Sequence, residues 1–116
     1  WLDAVAIVVT AGFVLLETVA DEQKRRYQDE GFITTGVWAW MRHPNYLGEV
    51  GFWWGLWLFA LAAGWSNWWT VIGPAAMTIL FVFLSVPLMD RRMRRRPGYP
   101  EHMAASWAMV PKRPKP

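Results

Sequence analysis

The run Trp40-Met41-Arg42-His43-Pro44-Asn45-Tyr46-Leu47-Gly48-Glu49 sets a guanidinium, an imidazole, an amide, a phenol and a carboxylate at the mouth of a Trp-rich apolar stretch. Polar groups placed on the lip of a lipid-immersed helix are costly to desolvate, and by default they mark a functional site. Pro44 suits the first turn of a helix, where its missing N–H would have no partner anyway. A helix starting there stacks Asn45 and Glu49, four residues apart, on one face. Its unpaired N–H groups and positive dipole end favour an anion, and Arg42 and His43 add donors at the same place. Beside a bound phosphate, an amide and a carboxylate could read the hydroxyls or the carboxamide of a nucleotide. The plainer reading is an interfacial Arg anchor with a capping Asn; an acid at Glu49, inside the apolar run, favours function.

Two other clusters bear on the same chemistry. Glu17, Asp21, Lys24, Arg25 and Gln28 are spaced by threes and fours and share one helix face. Read plainly, that face carries an Asp21–Arg25 ion pair worth a few tenths of a kcal/mol and cations that fix topology. Read more sharply, it is a platform for a phosphate-bearing cofactor; taken alone, the stripe favours the plainer account. The block Asp90-Arg91-Arg92-Met93-Arg94-Arg95-Arg96 is either a stop-transfer signal drawn to anionic lipid, at about 1 kcal/mol per cation, or a source of arginines that fold back onto the same phosphates. Arg96, just before the turn Pro97-Gly98-Tyr99-Pro100, is the strongest candidate for the second role. No nucleic-acid partner is expected, because the basic block abuts an apolar span. The absence of cysteine excludes disulfides and thiolate chemistry, and His43 and His102 have no partners at ligand spacing, so no metal site is expected.

These clusters need long helices to position them. The chain of 116 residues is one small domain, 54% hydrophobic and with ten tryptophans that suit a bilayer interface. Three apolar stretches stand out: residues 4–16, continuing to 20 past Glu17; 47–64; and 68–89. The last would measure roughly 33 Å as a helix, enough to cross a bilayer, with Pro74 and Pro87 near its ends and Pro87 placed to kink the exit. All twelve Lys and Arg fall at 24–26, at Arg42 and in the tail 91–115. Three spans with the N-terminus outside put every cation on one face, which is the positive-inside pattern. The expected protein is therefore all-α, integral and multi-pass in a lipid bilayer, with the basic loops and C-terminus cytoplasmic. Residues 31–40 read as a turn and a short interfacial element, and residues 101–109 as a short amphipathic stretch. The chain opens on Trp1 directly into an apolar run and reads as a fragment.

The motifs Ala20-Asp21-Glu22-Gln23-Lys24, Trp38 to Glu49 with Trp53-Trp54-Gly55, Gly73-Pro74, Pro87-Leu88 and Arg95-Arg96-Pro97-Gly98-Tyr99 occur in that order. From about Glu17 to Pro111 the chain resembles the C-terminal half of the steroid 5α-reductase superfamily, in its bacterial branch, the domain of unknown function 1295. The resemblance implies a multi-pass helical fold in which 1–116 form the cofactor-binding half. It implies NADPH near the cytosolic side and hydride delivery to a polarised C=C bond of a small hydrophobic, lipid-like substrate (steroid, isoprenoid or enoyl). By position it implies cofactor contacts from Asp21 and Arg25, nicotinamide-side contacts from Asn45 and Glu49, and closure over the nucleotide by Arg96 and Tyr99; Arg42, His43 and Tyr46 belong to the same motif. The family's proton donor and its partner, a Tyr and a Glu, lie on upstream transmembrane helices, so those helices are expected partners and no catalytic residue is assigned within 1–116. The chain departs from the pattern at Asp90, usually Glu, at His102, commonly Tyr, at Ser106 for Thr and at Met109 for Phe. Two other readings stay open. One is an enzyme like the isoprenylcysteine carboxyl methyltransferases, using S-adenosylmethionine and sharing the RHPxYxG core. The other is a non-catalytic membrane fragment.

Overall fold

Inside a bilayer the backbone has no water to bond, so a long apolar run without breakers closes its hydrogen bonds within a helix. The computed structural model describes residues 1–27 and 32–110, and every regular element among them is helical. Helix α1 spans Leu2–Arg26 and, as expected, runs on past its apolar part through Lys24, Arg25 and Arg26, which suit the negative end of its dipole. Helix α2 spans Pro44–Ala63, with Pro44 in its first turn and Gly64 just past its end. The third span is composite: a 3-10 segment Trp65–Val71, helix α3 over Ile72–Leu80, a π turn Phe81–Ser85 and helix α4 over Val86–Met93. The segments Leu2–Arg26, Pro44–Ala63 and Trp65–Met93 are each long and apolar enough to cross a membrane.

The π turn lies where Pro87 demands it. A proline lacks the N–H and crowds the carbonyl four residues back, here Phe83. Widening the preceding turn, with Val86 N bonded to Phe81 O, carries the helix past that conflict. The expected kink at Pro87 thus takes the form of a five-residue π segment upstream of it.

α1 and α2 pack along most of their length. The α2 face that meets α1 carries Gly48, Gly51 and Gly55, spaced three and four. A Cβ at Gly48 would lie 2.9 Å from the Phe13 carbonyl oxygen and 2.7 Å from the Glu17 Cβ; at Gly51 it would run into the Phe13 ring, and at Gly55 into Thr10. Small residues let two membrane helices approach until their backbones touch, which is how helices associate where lipid supplies no hydrophobic push. Away from this seam, Ile7, Val8, Ile72, Ile79 and Phe83 are exposed, as lipid-facing side chains are. Trp65, Trp68 and Trp69 are exposed at the link between α2 and the third span, and the Trp57 indole N–H donates to Trp68 O at 3.3 Å. This is the aromatic girdle of a bilayer surface.

At the opposite end the chain folds back on itself. The 3-10 turn Gly36–Ala39 docks on α1: Val37 N donates to Gln23 Oε1 and the Trp38 indole donates to Ala20 O, both at 3.0 Å. Gly36 sits at φ +62° with its α-carbon against the Gln23 amide, where a side chain would collide. Trp38, expected at a membrane surface, is buried. It is held inside by its own N–H, which needs an acceptor. Gly98 turns left-handed at φ +83° and starts helix α5, Tyr99–Ala105, which covers only the first part of the expected amphipathic stretch. Beyond it, the carbonyls of Trp107 and Ala108 accept from Arg42 N and His43 N at 2.9 Å each.

Candidate functional site: a polar knot and the cavity beside it

Asp90, near the end of the third span, is 5% exposed. A carboxylate taken out of water needs its lone pairs filled. Four donors converge on it, three at Oδ1 and one at Oδ2. Arg42 Nε reaches Oδ1 and Nη2 reaches Oδ2, both at 3.3 Å; His43 Nε2 lies 2.8 Å from Oδ1, and the Tyr99 hydroxyl donates to Oδ1 at 3.0 Å. A carboxylate only accepts, so the imidazole proton sits on Nε2. The remaining guanidinium nitrogen, Arg42 Nη1, donates to Met103 O and Ser106 O at 3.0 Å and to Ser106 Oγ at 3.2 Å. One arginine therefore joins the approach to α2, the end of α4 and the C-terminal segment. Burial and the adjacent Asp90 charge push the Tyr99 phenol well above its ordinary pKa, so it stays a donor. Burial, and next the Arg42 cation, push His102 below its usual value.

A cavity of about 280 Å³ opens beside the knot. It is small for a ligand site, which runs from roughly 300 Å³ upward. Lys24 of α1, Arg92 of α4 and Arg96 after it bring cations to the wall, Asn45 and Tyr46 come from α2, and Met89 and Met93 add apolar surface. Rings complete it. His43 stacks on Tyr46 at 5.0 Å and 11°, His102 stacks on Phe32 at 5.0 Å, and Tyr99 meets Phe32 edge-on at 5.0 Å. The Lys24 ammonium stands 5.8 Å from the Trp38 ring centre.

The structure divides the sequence candidates into two groups. Arg42, His43, Asn45, Tyr46, Arg96 and Tyr99 line one cavity, as does Lys24 from the α1 stripe. Asp21, Arg25 and Glu49 do not line it. Arg25 forks onto Glu22 at 2.6 and 3.0 Å and Arg26 joins at 2.8 Å, so the i,i+4 pair expected between Asp21 and Arg25 is replaced by a shared Glu22. Glu22 has both arginines within three and four residues on its own face and collects both. Asn45 and Glu49, expected to act together, are engaged separately. Asn45 Oδ1 accepts the Tyr46 N–H at 3.0 Å, while Glu49 Oε1 accepts the Trp53 indole N–H at 3.1 Å and meets Glu17 across the α1–α2 seam. Arg42 and His43, read as donors for an anion, direct the guanidinium nitrogens and Nε2 to Asp90 and the C-terminal segment. Gln28 and the turn at Gly31 lie outside the described residues.

Sequence reasoning treated Asp90 as the first letter of a basic block and missed it as the hub. A signal was available: it is an acid standing where an apolar span meets five arginines, a position where burial demands partners. Ser106 and the carbonyls of 103, 107 and 108 had no comparable signal, because backbone acceptors carry no sequence mark.

The sequence matches the family described as "Protein of unknown function (DUF1295)" over residues 1–105. No curated protein and no solved structure matches it. With nearly the whole chain matched, including α1, α2, the composite third span and the knot residues Arg42, His43, Asp90 and Tyr99, the protein belongs to the DUF1295 family, a steroid 5α-reductase-like family of membrane proteins.

Proposed function

We propose that the protein is the cofactor-binding part of a membrane-embedded, NADPH-dependent reductase acting on a C=C bond of a lipid-like substrate. The observation that carries this reading is the cavity wall, which sets Lys24, Arg92 and Arg96 around the Asn45 amide and stacked rings at one end of three apolar helices. The donor set fits a dinucleotide. Guanidinium and ammonium groups suit phosphates, an amide suits a carboxamide or ribose hydroxyl, and ring faces suit planar heterocycles. When bound, the nicotinamide supplies hydride to the carbon β to the polarising group. The chain's own residues bind and orient. Lys24, Arg92 and Arg96 hold phosphate, and Asn45, Tyr46, Tyr99 and His102, which line the same cavity, orient the rest of the ligand. The proton that completes the reduction comes, in this reading, from the upstream helices implied by the resemblance. Lys24, Arg42, Arg92 and Arg96 share one end of the helices, so the positive-inside rule assigns that end to the cytoplasm.

A cofactor with a sulfonium charge fits this wall less well, because three cations oppose it. Equilibrium dialysis of the detergent-solubilised protein against NADPH and against S-adenosylmethionine decides. NADPH should be retained, and Arg96→Gln should weaken it by about tenfold or more, since a charge-assisted hydrogen bond contributes about 1.5–3 kcal/mol. Retention of S-adenosylmethionine alone, or of neither compound, would overturn the reading.

A further inference from the structure

Helix α5 is seven residues long and packs extensively against no other helix among the described residues. Yet it carries Tyr99 and His102, two walls of the cavity. Phe32 packs on both rings, and the knot bonds the helix to α4 and to the approach to α2. Tyr99 donates to Asp90, the α5 carbonyl of Met103 and the Ser106 group accept from Arg42, and the carbonyls of Trp107 and Ala108 accept from the amides of Arg42 and His43. Arg42 and Asp90 are both nearly buried, with side chains 10% and 7% exposed. Within the knot Asp90 supplies the charge that aims the Arg42 fork and fixes the His43 ring.

We infer that Asp90 is a positioning residue, a latch that holds the C-terminal segment 99–108 against the mouth of α2 so that Tyr99 and His102 present a formed wall to the ligand. Arg42 and His43 serve this latch, while Lys24, Arg92 and Arg96 stand at the same cavity wall and, on the cofactor reading, meet the ligand. The inference rests on the cofactor reading for the identity of the ligand, but not for the latch itself. A carboxylate is required, because an amide of the same size would turn an NH2 group toward donors that themselves need acceptors.

Amide hydrogen exchange on the full chain in detergent tests it, read at Arg42 and His43, whose N–H groups are bonded to the segment. Asp90→Asn should speed exchange there by about tenfold or more, leave the α1–α2 seam unchanged, and raise the NADPH dissociation constant by about tenfold. Asp90→Glu should restore most of the protection. Ser106→Ala, which removes one Arg42 acceptor outside the cavity wall, should give a two- to threefold increase in exchange and covers the case in which Asp90→Asn does not fold. Unchanged exchange in these variants overturns the latch. So does faster exchange with unchanged affinity, because the segment would then position nothing. Faster exchange in a protein whose unaltered form binds no NADPH keeps the latch and removes the cofactor reading instead.

Discussion

The α1–α2 seam and the Asp90 knot hold the same molecule together by opposite means. The seam closes by shape: three glycines on α2 admit Thr10, Phe13 and Glu17 of α1 to backbone contact, and Thr10 Oγ1 is buried there without a hydrogen-bond partner. The knot closes by directed bonds, with one carboxylate, one guanidinium, one imidazole and one phenol satisfying each other in a small buried volume. The difference follows from what each joins. Two helices of 25 and 20 residues can sum weak dispersion contacts over many turns. A seven-residue helix after a glycine turn has too little surface for that, and only strong, oriented bonds can place it. The seam sets which spans are neighbours, and the knot sets whether the cavity has its last wall.

That contrast breaks most visibly at Arg42. Arg42→Met keeps much of the side-chain volume but strands Asp90 without its fork and leaves the Met103 and Ser106 carbonyls without Nη1. Removing one partner of a buried ion pair costs about 3–5 kcal/mol. The loss should be local. Thermal unfolding in detergent should report a marked drop in stability, and hydrogen exchange should show it concentrated at the C-terminal segment and the mouth of α2. If exchange rose equally along α1 and α2, knot and seam would be one cooperative unit and the contrast would fail.

The converse change is Gly48→Val. At this position the obstacles are backbone atoms of α1, Phe13 O and Glu17 N at 2.9 Å, which cannot swing aside as a side chain can. Overpacking costs about 1–3 kcal/mol, and more where the backbone must move. The helices should separate along the seam while the Arg42–Asp90 bonds, which involve neither helix face, persist. A Gly48→Val protein as stable as the parent would mean that the close approach contributes nothing.

Much of the frame was legible in the sequence, because bilayer-length apolar runs have one solution for their backbone groups. The one helix face shared by Glu17, Asp21, Lys24 and Arg25 implied that α1 continues past its apolar part, and the start of α2 at Pro44 followed from proline's missing N–H. The glycine seam was not read: its three-and-four spacing is visible in the sequence, but which helix it faces is not. The cavity residues Asn45, Tyr46, Arg96 and Tyr99 were found because polar side chains beside apolar spans are conspicuous. Arg42 and His43 line the cavity too, but their bonds to Asp90 were not legible, because a cation's partner is fixed by tertiary placement, and Asp90 lies 48 and 47 residues away. Asp21 and Arg25 look like a site from their spacing, but the spacing does not show which way the face points. Of that stripe Lys24 reaches the cavity wall, whereas Arg25 turns to the exposed Glu22 fork.

The smallest expected effect tests whether the knot reaches as far as the ring cluster. His102 stacks on Phe32 at the cavity wall, and its folded pKa is lowered from the usual 6.5 by burial and then by Arg42, with His43 adding to the shift and Asp90 opposing it. A lowered folded pKa means that the unfolded chain takes up a proton that the folded chain refuses. Stability therefore rises with pH between the folded and unfolded values, is complete above about 6.5 and is lost as pH falls below it. Melting temperatures between pH 7.5 and 5.5 should fall for the parent protein more steeply than for His102→Phe, which keeps a ring against Phe32 and removes the titration. Acids titrating elsewhere affect both proteins alike and cancel in the difference. Parallel pH profiles would show that His102 is solvated rather than held beside Arg42, and that the knot ends at Tyr99.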